Sequence, residues 1–207
     1  MAQSRRAERK PRGRYHHGNL RRALIDEALA TIRAEGVAGL TLREIGARLG
    51  VSRTALYRHF ADKRALLTAV ATEGFRTLRQ QLVNAWEDGG RGPAAFEAMG
   101  VAYVRFAVAN PAHYRVMFGG AVDDQPREGA LAEESNGAFD ALVEALTALQ
   151  RDAVVRGDET VLVARFVWAV VHGVAMLAID GQLHDPGAVE ALMRYALARI
   201  VPGIGAS

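Results

Sequence analysis

The sequence contains no cysteine, which excludes disulfides, thiolate nucleophiles and cysteine-based zinc sites. That absence suits a reducing compartment, and the expected location is the cytoplasm. No secretory leader is expected, because residues 4–14 are basic and polar with no apolar segment after them. A clean membrane span is also missing. The longest apolar stretch, 161–179, approaches the length needed, but Arg165 and His172 interrupt it, and charge at mid-bilayer is costly. A helix apolar almost all round suits a core or a subunit interface instead, so no membrane partner is expected. Repeats and paired strand patterns are absent as well.

What is present is a 207-residue chain, 50% hydrophobic and 24% charged, the balance of a folded globular protein. Its net charge of +3 is unevenly spread. Residues 1–70 carry 15 Lys and Arg against 6 Asp and Glu, a net +9, and residues 71–207 carry 11 against 17, a net −6. A basic head on an acidic body points to a polyanion partner, nucleic acid first. A solvated basic tail is the alternative, because much of the excess lies in residues 5–14.

The apolar period is helical throughout. Residues 1–17 have no period and are expected to form a flexible basic arm. Leu20, Leu24, Ala28 and Ile32 then recur every four residues, and Gly36 suits a left-handed C-cap. Thr41 and Glu44 have the spacing of a capping box, in which the Glu44 carboxylate reaches back to the Thr41 N–H. Leu42, Ile45 and Leu49 form a buried stripe, and Gly50 stops that helix. Ser52 caps a third helix with Leu56 and Phe60 four apart, and Asp62 caps a fourth. Further helices are expected after Pro93, after Pro111, over 127–156 and over 159–180, with a last one from Pro186 ending before Pro202. The fold class is therefore all-α, about nine helices. Residues 18–64 form a helix-turn-helix DNA-binding domain and 65–203 a ligand-binding and dimerisation domain.

Residues 41–64 carry the chemistry. Two short helices flank the Gly50-Val51 turn and need the first helix as support. Burying Leu56 and Phe60 turns Arg53, Thr54, Tyr57 and Arg58 outward, where they can donate to phosphates, and arginine can fork onto guanine. The same stretch holds Arg43, Arg48, Lys63 and Arg64 with only Glu44 and Asp62 as acids. Free N–H groups behind Ser52 and Asp62 also suit phosphates.

The run from Leu40 to Lys63, with Gly50-Val51-Ser52, Leu56-Tyr57-Arg58-His59-Phe60 and Asp62-Lys63, closely resembles the N-terminal signature of the tetracycline-repressor (TetR) family. The resemblance implies a homodimer on near-palindromic double-stranded DNA, usually as a repressor. By position it implies that Thr41 and Arg43 meet the DNA backbone, that Ser52, Arg53 and Thr54 enter the groove, and that Tyr57, His59 and Lys63 hold phosphates. Gly46 departs from the family's usual alanine. The arm around Arg12, Arg14, His16 and His17 either reaches the minor groove or does nothing specific.

The body shows no nucleophile–base set, so no enzyme activity, catalytic residue or cofactor is expected. Its aromatics and methionines, Phe96, Met99, Tyr103, Phe106, Tyr114, Met117, Phe139, Trp168, His172 and Met176, are either plain core or the lining of a cavity for a mostly apolar small molecule. Trp168 and His172-Gly173, together with residues 110–118, resemble the family's Trp-His-Gly C-terminal subgroup. His172 is expected as a hydrogen-bonded core histidine ahead of a ligand contact. His113, His172 and His184 lack metal-ligand spacing, so no metal is expected. The last two helices, with Val189, Leu192, Met193, Ala196 and Ile200 on the second, are the expected dimer interface. The competing readings are a constitutive or activating regulator without a sensor, and a helical enzyme or lipid carrier with an incidental basic head.

Overall fold

Helix boundaries in this chain follow local capping chemistry. The computed structural model describes residues 20–122, 126–183 and 185–205, so the basic arm (1–17) and His184 lie outside the described residues. Nine helices occur among those described: α1 (Leu20–Glu35), α2 (Leu42–Leu49), α3 (Arg53–Tyr57), α4 (Lys63–Asp88), α5 (Pro93–Ala109), α6 (Pro111–Phe118), α7 (Gly129–Arg151), α8 (Thr160–Ile179) and α9 (Pro186–Ile204). The β-type pairing described is one isolated bridge, Val155 to Gly205. The architecture is all-α.

Three N-caps and one C-cap set the head. Thr41 accepts from the Glu44 N–H at 3.3 Å, and the Glu44 carboxylate receives the Thr41 hydroxyl at 2.7 Å, where the capping box expected the backbone N–H. Gly50 closes α2 in the left-handed region at φ 66°, which costs glycine nothing. Ser52 and Asp62 each accept one backbone N–H, from Ala55 at 3.2 Å and Ala65 at 2.7 Å. The third helix is shorter than the Leu56–Phe60 spacing suggested. It ends at Tyr57, and the turn after it still returns the Phe60 N–H to Leu56 O at 3.1 Å.

Leu24, Ala28 and Ile32 of α1, Ile45 of α2, Leu56 of α3, Phe60 and the α4 residues Leu66 and Val70 are all buried in the head core. Gly46 has a packing role. A Cβ at that position would lie 3.0 Å from Leu56 Cδ1, so the missing methyl lets α3 seat closely on α2. Arg48 fastens α2 to α1 through Glu35 at 2.7 Å and the Thr31 hydroxyl at 3.1 Å. It is thereby withdrawn from the basic face.

The body wraps around the rest of α4, which packs against α5, α6 and α7, while α8 packs against α5, α7 and α9. Two glycines permit close crossings. A Cβ on Gly74 would stand 2.4 Å from Met117 Sδ, and one on Gly100 would stand 2.5 Å from Leu197 Cδ2. Thus α6 sits directly on α4, and α9 on α5. Among the described residues α8 is the one helix long and apolar enough to cross a membrane; here it is a packed element of the body.

Two further boundaries differ from expectation. The seventh helix stops at Arg151, not Arg156, because Ala153 turns left-handed at φ 56° and the Val154 and Val155 N–H groups fold back onto Leu149 O at 2.9 and 3.2 Å. The last helix continues through Pro202 to Ile204. A proline removes one helical donor, and the end is instead held from outside. The Arg156 N–H donates to Ile204 O at 2.8 Å, and its guanidinium donates to Gly203 O. Such a cap comes from a loop remote in sequence and has no local signature.

The Gly74 crossing predicts that Gly74→Val lowers unfolding free energy by about 1–3 kcal/mol in urea titration, the usual cost of overpacking. An unchanged midpoint would mean that α6 does not depend on this contact.

Candidate functional site

Two regions bring functional side chains together, one on the head and one inside the body. On the head, Thr41, Arg43, Ser52, Arg53, Thr54, Tyr57, Arg58 and His59 are all exposed. Tyr57 is 45% exposed, unusual for a large ring, and the Arg53 guanidinium lies over it at 5.7 Å. That stacking holds both groups outward at modest cost. Lys63 differs from the rest. It is half-buried, and its ammonium donates to Val37 O at 2.8 Å, so it ties α4 to the loop after α1. Thr41 and Ser52 likewise spend one acceptor site on their caps while remaining exposed.

Inside the body is a cavity of about 260 Å³. Of the residues expected to line it, Phe96, Met99, Tyr103, Phe139 and Trp168 do so; Phe106, Tyr114, Met117, His172 and Met176 do not. Each of these five has another place. Phe106 is buried in the core, Met117 is pressed against Gly74, Met176 packs on the outside of the core, and Tyr114 and His172 stand behind Tyr103. The wall is completed by residues outside that set of ten. These are Phe75, Leu78 and Leu82 of α4, Phe118 of α6, Ser135, Asn136, Ala138 and Leu142 of α7, and Arg127, Val167, Val171 and Leu197.

A partly buried polar chain backs this wall. Trp168 Nε1 donates to the Tyr103 hydroxyl at 3.0 Å, the Tyr103 and Tyr114 hydroxyls are 2.9 Å apart, and Tyr114 lies 2.6 Å from His172 Nδ1. Tyr103 is also 3.1 Å from His172 Nδ1. Donor counting allows one continuous direction, from Trp168 to Tyr103 to Tyr114 to His172, with Nδ1 as the final acceptor of a neutral imidazole. Burial supports this assignment. It lowers the His172 pKa from its ordinary 6.5, pushes the Tyr103 phenol up to about 12 against its hydrogen bonds to Tyr114 and Trp168, and drives the Tyr114 phenol further still. All four groups therefore stay uncharged near neutrality.

A second junction links the regions. Glu73 of α4 accepts from Arg22 of α1 at 2.7 Å, and His113 Nε2 of α6 lies 3.6 Å from the same oxygen, too far for a hydrogen bond. Burial lowers the His113 pKa, opposed by Glu73. Among the described residues no group of three or more His, Cys, Asp or Glu could hold a metal.

Comparison with known proteins matches both regions. Residues 24–70 fit the model of "Bacterial regulatory proteins, tetR family", and residues 96–200 fit "Tetracyclin repressor-like, C-terminal domain". A tetracycline repressor protein of class C from Escherichia coli is 51% identical over 51 residues, 25% of this chain and 23% of that protein. This match thus spans under a quarter of the relative's length. A solved structure from Rhodococcus sp. RHA1, of a protein with unknown function, is 32% identical with TM-score 0.81, covering 94% of this chain and all of that one. A tetR-family regulatory protein from Rhodococcus RHA1 is 21% identical with TM-score 0.70, covering 90% and 97%, and shows the same fold.

The depressed histidines set a pH dependence. An unfolded histidine titrates near 6.5, while His113 and His172 in the fold resist protonation, so the unfolded chain binds more protons as pH falls through that value. Stability is then fully present above about pH 6.5 and declines below it. The urea midpoint should fall between about pH 7 and pH 5.5. His172→Asn, which keeps an acceptor near Nδ1 but cannot protonate, should lose part of that slope, and an unchanged slope would refute the assignment.

Proposed function

The chain belongs to the TetR family of helix-turn-helix transcriptional regulators, and from that premise we propose that it is a homodimeric repressor released from a near-palindromic operator by a small, mostly apolar ligand. The observation that carries the proposal is the pairing of an outward Arg53–Tyr57 face on the head with an apolar cavity in the body. The cavity favours a ligand-responsive regulator over one that acts constitutively. In this reading Arg43, Ser52, Arg53, Thr54, Tyr57, Arg58 and His59 contact the operator. Thr41 and Lys63 position the helices beside it.

The proposed dimer uses α8 and α9. Leu162, Phe166, Ala169, Gly173 and Leu177 recur at helical spacing along α8. Leu162 and Phe166 are 63% and 52% exposed, and nothing lies within 4 Å of where a Gly173 Cβ would be. Small residues at 169 and 173 would allow a second α8 to cross closely. On α9, Met193 and Ile200 are buried in the chain's own core and Val189 and Leu192 pack against it, while Tyr195 is exposed. The outward stripe of α9 therefore differs from the apolar positions picked out by sequence. Two such helices per subunit would form a four-helix bundle on a two-fold axis, setting the recognition helices roughly 34–36 Å apart.

Fluorescence anisotropy against DNA upstream of the chain's own gene, beside a scrambled duplex, tests the operator reading. Selective binding that weakens steeply with salt is expected. Arg53→Ala should cost about 1–3 kcal/mol and relax base preference. Equal binding to both duplexes would remove the specific-operator claim. In sedimentation, Phe166→Glu should convert a dimer to monomer; an unaltered profile would rule out this α8 face as the interface.

A further inference from the structure

We propose that the cavity ligand is a compact aromatic compound held by ring packing, with no hydrogen bond to the cavity wall; this rests on the reading of the cavity as a ligand site. Size is the first constraint. A cavity of roughly 150 Å³ takes benzene. By proportion the cavity of about 260 Å³ here takes roughly ten non-hydrogen atoms, the size of two fused rings.

The make-up of the wall is the second constraint. The chain has 7 Phe, 2 Trp and 5 Tyr, and six of those fourteen rings, Phe75, Phe96, Tyr103, Phe118, Phe139 and Trp168, line this one cavity. They reach it from α4, α5, α6, α7 and α8, so the apolar face of a single helix does not account for the gathering. Neighbouring rings meet at steep angles. Phe75 and Phe118 lie 5.3 Å apart at 76°, Phe118 and Trp168 6.2 Å apart at 47°, and Phe139 and Trp168 6.1 Å apart at 66°. Such a wall offers both the negative faces and the positive edges of its rings. A flat aromatic guest can complete edge-to-face or offset contacts there that a saturated guest of the same carbon skeleton cannot.

The polar groups of the wall are already served from within the protein. Trp168 Nε1 donates to the Tyr103 hydroxyl at 3.0 Å, and the Tyr103 and Tyr114 hydroxyls pass their protons toward His172 Nδ1. Ser135 donates to Ala132 O at 3.2 Å. Arg127 donates to Met117 O at 3.0 Å and covers the Phe75 ring at 4.9 Å, so it is held by α6 and α4 before any ligand arrives. Asn136 is exposed and can keep its water. A ligand hydroxyl or carboxylate turned toward this wall would give up water for groups whose hydrogen bonds are already made. A hydrocarbon ring surface gives up nothing of the kind.

The test is equilibrium dialysis of the full chain against naphthalene and decalin, which share one carbon skeleton, with each affinity referred to the compound's own water–alkane partition. On that scale naphthalene should bind about two- to twelvefold more tightly, the contribution of one aromatic pair. In absolute affinity 1-naphthol, quinoline and 1-naphthoate should bind no more tightly than naphthalene. Phe118→Leu and Phe139→Leu, which replace a ring by aliphatic volume, should each lower the naphthalene-to-decalin ratio by about twofold or more. Decalin binding as well as naphthalene would overturn the aromatic class and keep the cavity as a ligand site. Tighter binding of any of the three polar analogues would overturn a ligand held without hydrogen bonds. A ratio unchanged in both variants would overturn these rings as its source. Binding by none of the compounds would overturn both readings. The comparison between compounds needs no substitution, so it stands even if a variant fails to fold.

Discussion

One helix has to pack in both the head and the body at once. The 26 residues of α4 span about 39 Å at 1.5 Å per residue, and no proline interrupts them. Leu66, Leu67 and Val70 are packed in the head, whereas Phe75, Leu78 and Leu82 form part of the cavity wall. A stiff rod packed in the head at one end and in the body at the other cannot adjust one set of contacts in isolation. Any ligand that alters the seating of Phe75 or Leu78 acts on the same helix that packs into the head. For the proposed release mechanism this matters more than the size of any single contact, because a ligand shifts an equilibrium only by its differential affinity for the two arrangements.

The rod is also clamped from the side. Glu73 holds Arg22 of α1, and Arg22 also pairs with Asp26 at 2.5 Å on its own helix. At the next residue, Gly74 admits Met117 of α6, and His113 crowds the same spot. Head, rod and α6 therefore meet within two consecutive α4 residues. Tyr114 and Phe118 extend from the same short helix to the polar chain and to the cavity. The arrangement gives α6 a mechanical role that its eight residues would not suggest.

The head was legible in the sequence because its signals are local. Caps at Thr41, Ser52 and Asp62, the stop at Gly50 and the stripe of Leu56 and Phe60 each act within a few residues, and the helices follow them. What sequence could not resolve was which cations are free to meet DNA. Arg48 and Lys63 count equally with Arg53 in composition, yet one bonds Glu35 and the other the Val37 carbonyl. The cavity was half legible for a related reason. Helical spacing marks an apolar face without saying whether that face meets a neighbour or a void. Phe106 and Met117 went to neighbours; Phe75 and Leu82 went to the void. Arg127 carried no signal at all, since an arginine just ahead of a helix usually faces solvent.

The apolar character of α8 fits one burial in the body and a second in the proposed dimer. Val163, Val167, Val171 and Ala175 turn inward, and Trp168 reaches the cavity and the Tyr103 hydroxyl. Leu162, Phe166 and Leu177 remain on the outer side. A membrane span would leave Arg165 without a suitable environment, whereas a helix with one face in the body and another against a second copy leaves it at the rim. In the proposed dimer, the helix that reads the ligand through Trp168 is then the helix that meets the partner through Phe166, only two residues away. Ligand seating and subunit spacing become two faces of one element. Operator release in this chain would need no longer path than α8 on one side of the cavity and α4 on the other.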